Sequence, residues 1–231
     1  MTTVVLFDID GTILWTDGAG RRAVHRALQE VFGAPPPEGH EFDGKTDPQI
    51  VRELMQLAGV SDGHIETGLP HAIARYVELL SAELGAVDHG DKVFPGVAAL
   101  LDVLEARDDV LLGLLTGNVR EGAEAKLTAV GIAPHRFRVG AFGSDHAERP
   151  ELPAIARGRA EVLMGKQVPG HKVVVIGDTP ADMGCGRGIG ARAIGVATGR
   201  YTMDDLRACD AAAVFPDLSD TAAVMRAIMD A

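Results

Sequence analysis

Short apolar runs alternate with helical patterns through most of this chain. The apolar runs are Val4–Phe7, Val110–Leu115, Arg136–Ala141, Val173–Ile176, Ala191–Val196 and Ala212–Phe215. Helical patterns follow at about 95–106, 119–130, 151–164, 180–189 and 218–229. Strands that alternate with helices predict a doubly wound parallel sheet, an α/β fold with helices on both faces. In such sheets, ligands bind at the carboxyl ends of the strands.

The stretch from Trp15 to about Lys92 departs from this alternation, because it has three helical patterns and no convincing strand. Its apolar residues at helical spacing are Val24, Ala27, Leu28 and Val31, then Ile50, Leu54, Leu57 and Ala58, then Ile73, Val77, Leu80 and Leu84. We predict that residues 15–92 form an all-helical cap, and that residues 1–14 and 93–231 form the α/β catalytic core.

Composition and charge exclude several classes of protein. The 22 basic and 33 acidic residues give a net charge of −11, which argues against binding to nucleic acid or to an anionic membrane. No segment has the roughly 18 apolar residues of a membrane span. Cys185 and Cys209 have no metal-ligand spacing, so we expect a reduced, cytoplasmic protein. The sequence leaves open whether the chain is a monomer or a homodimer.

The strongest candidate for chemistry is Asp8-Ile9-Asp10-Gly11-Thr12, directly after the first apolar run. In an extended chain, side chains at i and i+2 project to the same side. Two carboxylates that close repel each other unless a cation or a shared proton relieves them. A loop tip explains one aspartate easily, but two of them at the carboxyl end of a strand, followed by Gly-Thr, indicate a functional site.

A second candidate, Thr116-Gly117-Asn118, stands at the end of the second run. Asn118 fits the N-cap of a helix, with Glu121 in the capping-box position. A helix start presents free amides to an anion, and the Thr116 hydroxyl can add a donor to phosphate. Taken alone, this motif also fits a plain strand-to-helix turn.

The third candidate is the segment Gly177-Asp178-Thr179-Pro180-Ala181-Asp182. Thr179, Pro180 and Asp182 fit a capped helix start, but capping does not explain Asp178. Asp8, Asp178 and Asp182 would supply carboxylate ligands at one sheet edge, and the main-chain carbonyl of Asp10 would join them. A set of oxygen ligands suits Mg²⁺ rather than zinc.

These three motifs resemble motifs one, two and four of the haloacid dehalogenase superfamily. The match covers nearly the whole chain, since the helical insertion resembles the cap of that superfamily and the rest its Rossmann-like core. The segments Phe42–Asp47 and Gly195–Gly199 are most similar to phosphoglycolate-phosphatase-like hydrolases.

The resemblance implies a Mg²⁺-dependent phosphatase acting on a small phosphorylated metabolite, a phosphomonoester like phosphoglycolate. Asp8 would attack phosphorus and form an aspartyl-phosphate. Asp10 would protonate the leaving group and then activate water. Thr116, Gly117 and Asn118 would bind the phosphate.

The third motif departs from the family, which usually has a lysine followed by proline. Here Arg149-Pro150 stands instead, and Lys166 is an alternative further along the chain. Arg149 keeps the positive charge and would bind the phosphate with two hydrogen bonds, but its reach and shape differ from those of lysine. A surface salt bridge is the alternative for Arg149, and a solvated side chain is the alternative for Lys166. In the cap, Lys45 is a candidate for a substrate carboxylate or a second phosphate, and an ordinary exposed lysine is the alternative.

Other functions of the same superfamily stay open. A dehalogenase attacks carbon and lacks an aspartate at the position of Asp10, and phosphonate cleavage also departs there. A phosphomutase shares the first chemical step. A non-catalytic protein that binds a phosphorylated metabolite is a further alternative, although such proteins usually lose a catalytic aspartate.

Overall fold

A six-stranded parallel sheet forms the centre of the protein, in a computed structural model that describes residues 2–86, 88–90 and 92–230. The strands are β1 (Thr3–Phe7), β2 (Val110–Leu115), β3 (Val139–Ala141), β4 (Val173–Gly177), β5 (Arg192–Val196) and β6 (Ala213–Phe215). Their order across the sheet is β3-β2-β1-β4-β5-β6. The winding reverses between β1 and β4, which is where doubly wound sheets bind ligands. The α/β prediction is confirmed.

Helices cover both faces of this sheet. The helices within the described ranges are α1 (Ala19–Phe32), α2 (Asp47–Leu57), α3 (Asp62–Leu84), α4 (Val97–Glu105), α5 (Arg120–Ala129), α6 (Leu152–Met164), α7 (Pro180–Cys185), α8 (Met203–Arg207) and α9 (Thr221–Met229). Val5 and Phe7 pack with α4, α5 and α9, whereas Val4 and Leu6 pack with α6. Burial on both faces explains why the strands read as continuous apolar runs.

Helices α1, α2 and α3 pack on one another around a separate apolar cluster. Leu14 and Val93 pair in an isolated antiparallel bridge, so the chain leaves and re-enters the core at adjacent points. Both observations support the division into a core and a cap, and its exact boundaries stay a prediction.

Some local features of the fold differ from what the sequence predicts. In the run Arg136–Ala141 the strand begins at Val139, because a 3-10 turn over Pro134–Arg136 precedes it. Leu57, placed on the apolar face of a cap helix, is 64% exposed at the last position of α2. The short helix α8 was not predicted, although Thr202 and Asp205 form a capping box at its start.

Candidate active site

The candidate residues are brought together at the carboxyl edge of the sheet. Asp8 follows β1, Asp178 follows β4 and Thr116 follows β2. Phe7 is level with Leu114 of β2 and Ile176 of β4, so the three strands end side by side. This is the arrangement expected from the strand ends alone.

Three buried carboxylates meet there and form what we call the tri-aspartate cluster: Asp8, Asp178 and Asp182. One oxygen from each lies within 4.8 Å of the others. Glycines make room for the cluster, since a Cβ on Gly11 or Gly199 would lie 2.2 or 1.9 Å from a carboxylate oxygen of Asp178. Substitution at either glycine would therefore displace a carboxylate.

The electrostatics of this cluster call for a cation. Burial, together with the negative charges of Asp182 and Asp8, raises the pKa of Asp178 to about 9. Burial also raises the pKa of Asp8 to about 6, against the opposing effect of Arg149. Hard oxygen ligands that repel one another fit a divalent cation such as Mg²⁺. The part played by the Asp10 carbonyl stays a prediction.

Asp182 has two further tasks at the start of α7. Its Oδ2 accepts hydrogen bonds from the Thr179 amide (3.0 Å) and the Thr179 hydroxyl (2.7 Å), and Thr179 caps the helix in return. The capping box predicted for Thr179 and Asp182 is therefore present, together with the position of Asp182 in the cluster.

Arg149 lies inside the site, whereas Lys166 lies far from it. The Nη2 of Arg149 is 3.1 Å from Asp8 Oδ2 and also contacts Asp182 Oδ1. Lys166 donates instead to the Thr2 hydroxyl at 2.9 Å, and Thr2 precedes β1 while Asp8 follows it. Of the two candidates for the third motif, Arg149 is therefore the one that lies beside Asp8.

The environment of Arg149 keeps it charged. Burial would lower the pKa of its guanidinium, but the carboxylates of Asp182 and Asp8 raise it above the ordinary value. Its Nε is buried and has no hydrogen-bond partner among the described residues. A buried donor of this kind is costly unless a ligand accepts its hydrogen bond.

Asp10 lies in different surroundings from Asp8, although only Ile9 separates them in sequence. Its carboxylate oxygens lie 2.8 and 2.6 Å from the Lys126 ammonium, which is buried. Asn118 donates from Nδ2 to Asp10 Oδ2 at 2.8 Å. Lys126 was not predicted from the sequence. We refer to this ion pair as the Asp10–Lys126 pair.

Asn118 does not cap a helix, so that prediction is wrong. The N-cap of α5 is Val119, whose amide donates to the Asp47 carboxylate at 2.7 Å. The Asn118 side chain instead binds Asp10 and donates to the Thr116 hydroxyl oxygen at 2.8 Å.

Asp47 of the cap was not assigned to the site from the sequence. Its carboxylate accepts the hydrogen bond of the amide at the start of α5. Burial raises the pKa of Asp47 to about 6, while the Lys126 charge lowers it.

The cap loop Phe42–Asp47 touches the core at the turn that holds Thr116. The Asp47 amide donates to the Gly117 carbonyl at 2.8 Å. A Cβ on Gly117 would lie 1.9 Å from the Lys45 carbonyl oxygen, so this position requires glycine for close approach of the two backbones. Thr46 adds a bond from its hydroxyl to the Ala147 carbonyl at 2.6 Å.

Two cationic side chains from the cap line the cavity above the site. The Lys45 ammonium is 2.6 Å from Glu53 Oε2 and 3.2 Å from His40 Nε2. Arg21 donates to the His40 carbonyl at 2.7 Å, and its guanidinium lies 3.9 Å from the Phe42 ring centre. The proposed substrate role of Lys45 stays a prediction, and Arg21 joins it as a cation that the sequence did not single out.

The cavity between cap and core has a volume of about 490 Å³. The predicted site residues on its wall are Asp8, Asp10, Lys45, Thr116, Gly117, Asn118, Arg149 and Asp178. Trp15, Phe42, Ile50 and Tyr76 supply part of its apolar wall. The site thus combines a polar floor with a partly apolar roof, the usual composition of a small-molecule site.

No helix in the described part of the chain has the length and apolar character needed to cross a membrane.

Comparison with known proteins agrees with this geometry. A model of the haloacid dehalogenase-like hydrolases matches residues 2–190, and the chain belongs to that family. It is 27% identical to a phosphoglycolate phosphatase of Synechococcus elongatus over 198 residues, covering 84% of both chains. It is 27% identical to glycerol-1-phosphate phosphohydrolase 2 of Saccharomyces cerevisiae over 211 residues, covering 89% of this chain and 79% of the yeast protein.

Solved structures share the whole fold. A β-phosphoglucomutase from Clostridium difficile superposes with a TM-score of 0.74 at 15% identity, covering 100% of this chain and 98% of that one. A hydrolase from Pseudomonas syringae gives 0.72 at 20% identity and covers 99% of both chains. These likenesses extend across core and cap together.

Proposed function

We propose that this protein is a Mg²⁺-dependent phosphatase that hydrolyses a small phosphomonoester through an aspartyl-phosphate on Asp8. The observation that carries the proposal is the division of labour between two neighbouring aspartates. Asp8 lies among carboxylates suited to a divalent cation, and Asp10 lies beside an ammonium at the cavity wall. Membership of the hydrolase family and the two phosphatase relatives support it.

In the first step, an Asp8 oxygen forms a bond to phosphorus while the bond from phosphorus to the leaving oxygen breaks. Asp10 enters this step protonated, because the anionic phosphate beside it favours uptake of a proton from solvent, and it gives that proton to the departing oxygen, so that a neutral alcohol leaves. In the second step Asp10 removes a proton from water, which attacks phosphorus and releases Asp8 and inorganic phosphate. A bound Mg²⁺ would supply charge neutralisation between the Asp8 carboxylate and the anionic substrate.

The remaining residues would bind and orient the phosphoryl group. Arg149 places a permanent positive charge beside Asp8, and its buried Nε is a hydrogen-bond donor that a phosphate oxygen could accept. Thr116 accepts bonds from the amide and side chain of Asn118, which holds its hydroxyl in place to donate to a phosphate oxygen. The two free cysteines support a cytoplasmic location.

The test is hydrolysis of p-nitrophenyl phosphate and of a panel of phosphorylated metabolites, with and without Mg²⁺. Phosphoglycolate and glycerol 1-phosphate come first, because relatives are named for them. We expect turnover that EDTA removes and that Asp8→Asn lowers by on the order of 10⁴-fold or more. Normal turnover by Asp8→Asn would end the proposal. Transfer of phosphate to a second sugar hydroxyl, without release, would instead assign a phosphomutase.

A further inference from the structure

Lys126 lies under the proposed acid–base carboxylate and uses all of its hydrogen-bonding capacity there. Its ammonium has three donors. Two of them reach Asp10 Oδ1 and Oδ2, at 2.8 and 2.6 Å, and the third reaches Asn118 Oδ1 at 2.7 Å. The side chain is 5% exposed, so water has little room to replace any of these partners.

The same ammonium decides which way the Asn118 amide points. With Oδ1 facing Lys126, the Nδ2 group donates both to Asp10 Oδ2 and to the Thr116 hydroxyl oxygen, each at 2.8 Å. A reversed amide would place an NH₂ group against an ammonium and leave both acceptors without their donor. Lys126 therefore links the acid–base carboxylate to the hydroxyl proposed to hold the phosphate.

The cap completes the enclosure of Lys126. A Cβ on Gly20 of α1 would lie 3.3 Å from the Lys126 Nζ, and one on Gly122 would lie 3.6 Å from the Tyr76 hydroxyl. Glycine at position 20 thus lets the backbone of α1 come close to the ammonium. Water is therefore kept away from the Lys126 end of the ion pair, which strengthens its attraction for Asp10.

We propose that Lys126 is a positioning residue that fixes Asp10 for proton transfer and holds Asn118 against Thr116. This inference rests on the proposed phosphatase function. Lys126 does not touch the tri-aspartate cluster, so its effect passes through Asp10 and Asn118. Its importance depends on how much the leaving group needs a proton.

Leaving groups separate this role from a merely structural one. An alkoxide leaves poorly without a proton, whereas p-nitrophenolate is stable enough to leave as an anion. The ratio kcat/KM reports the steps up to departure of the leaving group, because it excludes later hydrolysis of the aspartyl-phosphate. A misplaced Asp10 therefore lowers kcat/KM for alkyl phosphates and spares it for p-nitrophenyl phosphate.

The experiment compares Lys126→Met with the control Lys166→Met, whose exposed lysine bonds Thr2 away from the site. For the best alkyl phosphomonoester of the panel, we expect Lys126→Met to lose on the order of 10²-fold in kcat/KM. For p-nitrophenyl phosphate the loss is expected to stay below about fivefold. Lys166→Met should change neither. If Lys126→Met loses the same factor in kcat/KM with both substrates, or loses nothing with either, the proposal is overturned.

Two additional measurements keep the proposal testable if Lys126→Met is poorly soluble or the enzyme assay fails. Lys126→Arg keeps the charge, and we expect it to recover part of the alkyl-phosphate activity. A crystal structure of either variant reports on positioning without any activity. We expect the Asp10 carboxylate and the Asn118 amide to rotate in Lys126→Met, and unchanged side chains there would overturn the proposal whether or not the protein is a phosphatase.

Discussion

The two sides of the cavity floor balance charge in opposite ways. The tri-aspartate cluster sets three carboxylates against one guanidinium, that of Arg149. The Asp10–Lys126 pair sets one carboxylate against one ammonium. Asp8 has a side-chain exposure of 8% and Asp10 one of 30%. Two aspartates that a sequence motif presents as equals thus have different environments and, we propose, different tasks.

This difference teaches what each side needs from outside the protein. Excess negative charge in a buried place is unfavourable unless a cation or a bound proton offsets it. The Asp10–Lys126 pair is already neutral, so it needs no added ion and can act on a proton. Removing the single cation from each side is the sharpest way to test the comparison.

The largest effect on stability is expected from Arg149→Met. Without its guanidinium the three carboxylates lack a protein cation, and we expect a loss of about 3–5 kcal/mol in the free energy of unfolding with EDTA present. Lys126→Met should cost less, about 1–3 kcal/mol, because Asp10 can be solvated from the cavity. Urea unfolding measures both. Mg²⁺ should restore stability to Arg149→Met but not to Lys126→Met, and the reverse order would contradict the comparison.

A smaller effect is expected from pH and Mg²⁺ on the wild-type protein. In the folded, metal-free protein the pKa of Asp178 is about 9, far above that of an aspartate in an unfolded chain. The folded state therefore keeps a proton that the unfolded state loses, and this contribution to stability falls as the pH rises from about 4 to about 9. A bound Mg²⁺ would take the place of that proton, so we expect its binding to strengthen with pH.

The measurement is the rise in Tm on adding Mg²⁺, at about pH 6 and about pH 8.5. We expect the larger rise at the higher pH. Asp178→Asn should remove most of the difference between the two pH values, whereas Lys166→Met should preserve it. An equal rise at both values would show that Asp178 does not bind the ion.

The smallest effect is expected from Lys45→Ala in the cap. Because Glu53 already pairs with the Lys45 ammonium, a substrate carboxylate gains only part of its charge. We expect KM for phosphoglycolate to rise less than about tenfold, in keeping with roughly 1 kcal/mol for a partly exposed ion pair. KM for p-nitrophenyl phosphate, which lacks a carboxylate, is the control. If Lys45→Ala has the same KM as the wild-type protein for both substrates, Lys45 has no role in binding the substrate carboxylate.

The strand ends explain how much of this site the sequence could predict. Asp8, Thr116 and Asp178 each follow an apolar run directly, and a parallel sheet must bring such positions to one edge. Asp182 follows from the capping signal at Thr179. The order of strands across the sheet brings β1 and β4 together, and no local pattern encodes that neighbourhood.

Lys126 and Asp47 escaped prediction because their partners come from distant parts of the chain. Lys126 meets Asp10 across 116 residues, and Asp47 meets the Val119 amide across 72. One signal was present, since Lys126 lies on α5 between the buried Ala123 and Leu127. A lysine on the apolar side of a helix needs a buried partner. Such a lysine therefore predicts an ion pair with a carboxylate from another part of the chain.

Asn118 does not cap the helix because other partners compete for its side chain. The Asn118 side chain could accept hydrogen bonds from amides of its own helix. It instead forms hydrogen bonds with Asp10, Thr116 and Lys126. Asp47 then supplies the capping oxygen from another part of the chain. Local propensity gave way to tertiary contacts, which is common where a turn also carries function.

The contact between Lys45 and Gly117 has a mechanical consequence. Any movement that lifts residues 44–47 from the core must break the bonds of Asp47 to Gly117 and Val119. Those bonds hold the very turn on which Thr116 and Asn118 sit. Uncovering the cavity and loosening the turn that we propose binds phosphate are therefore mechanically coupled.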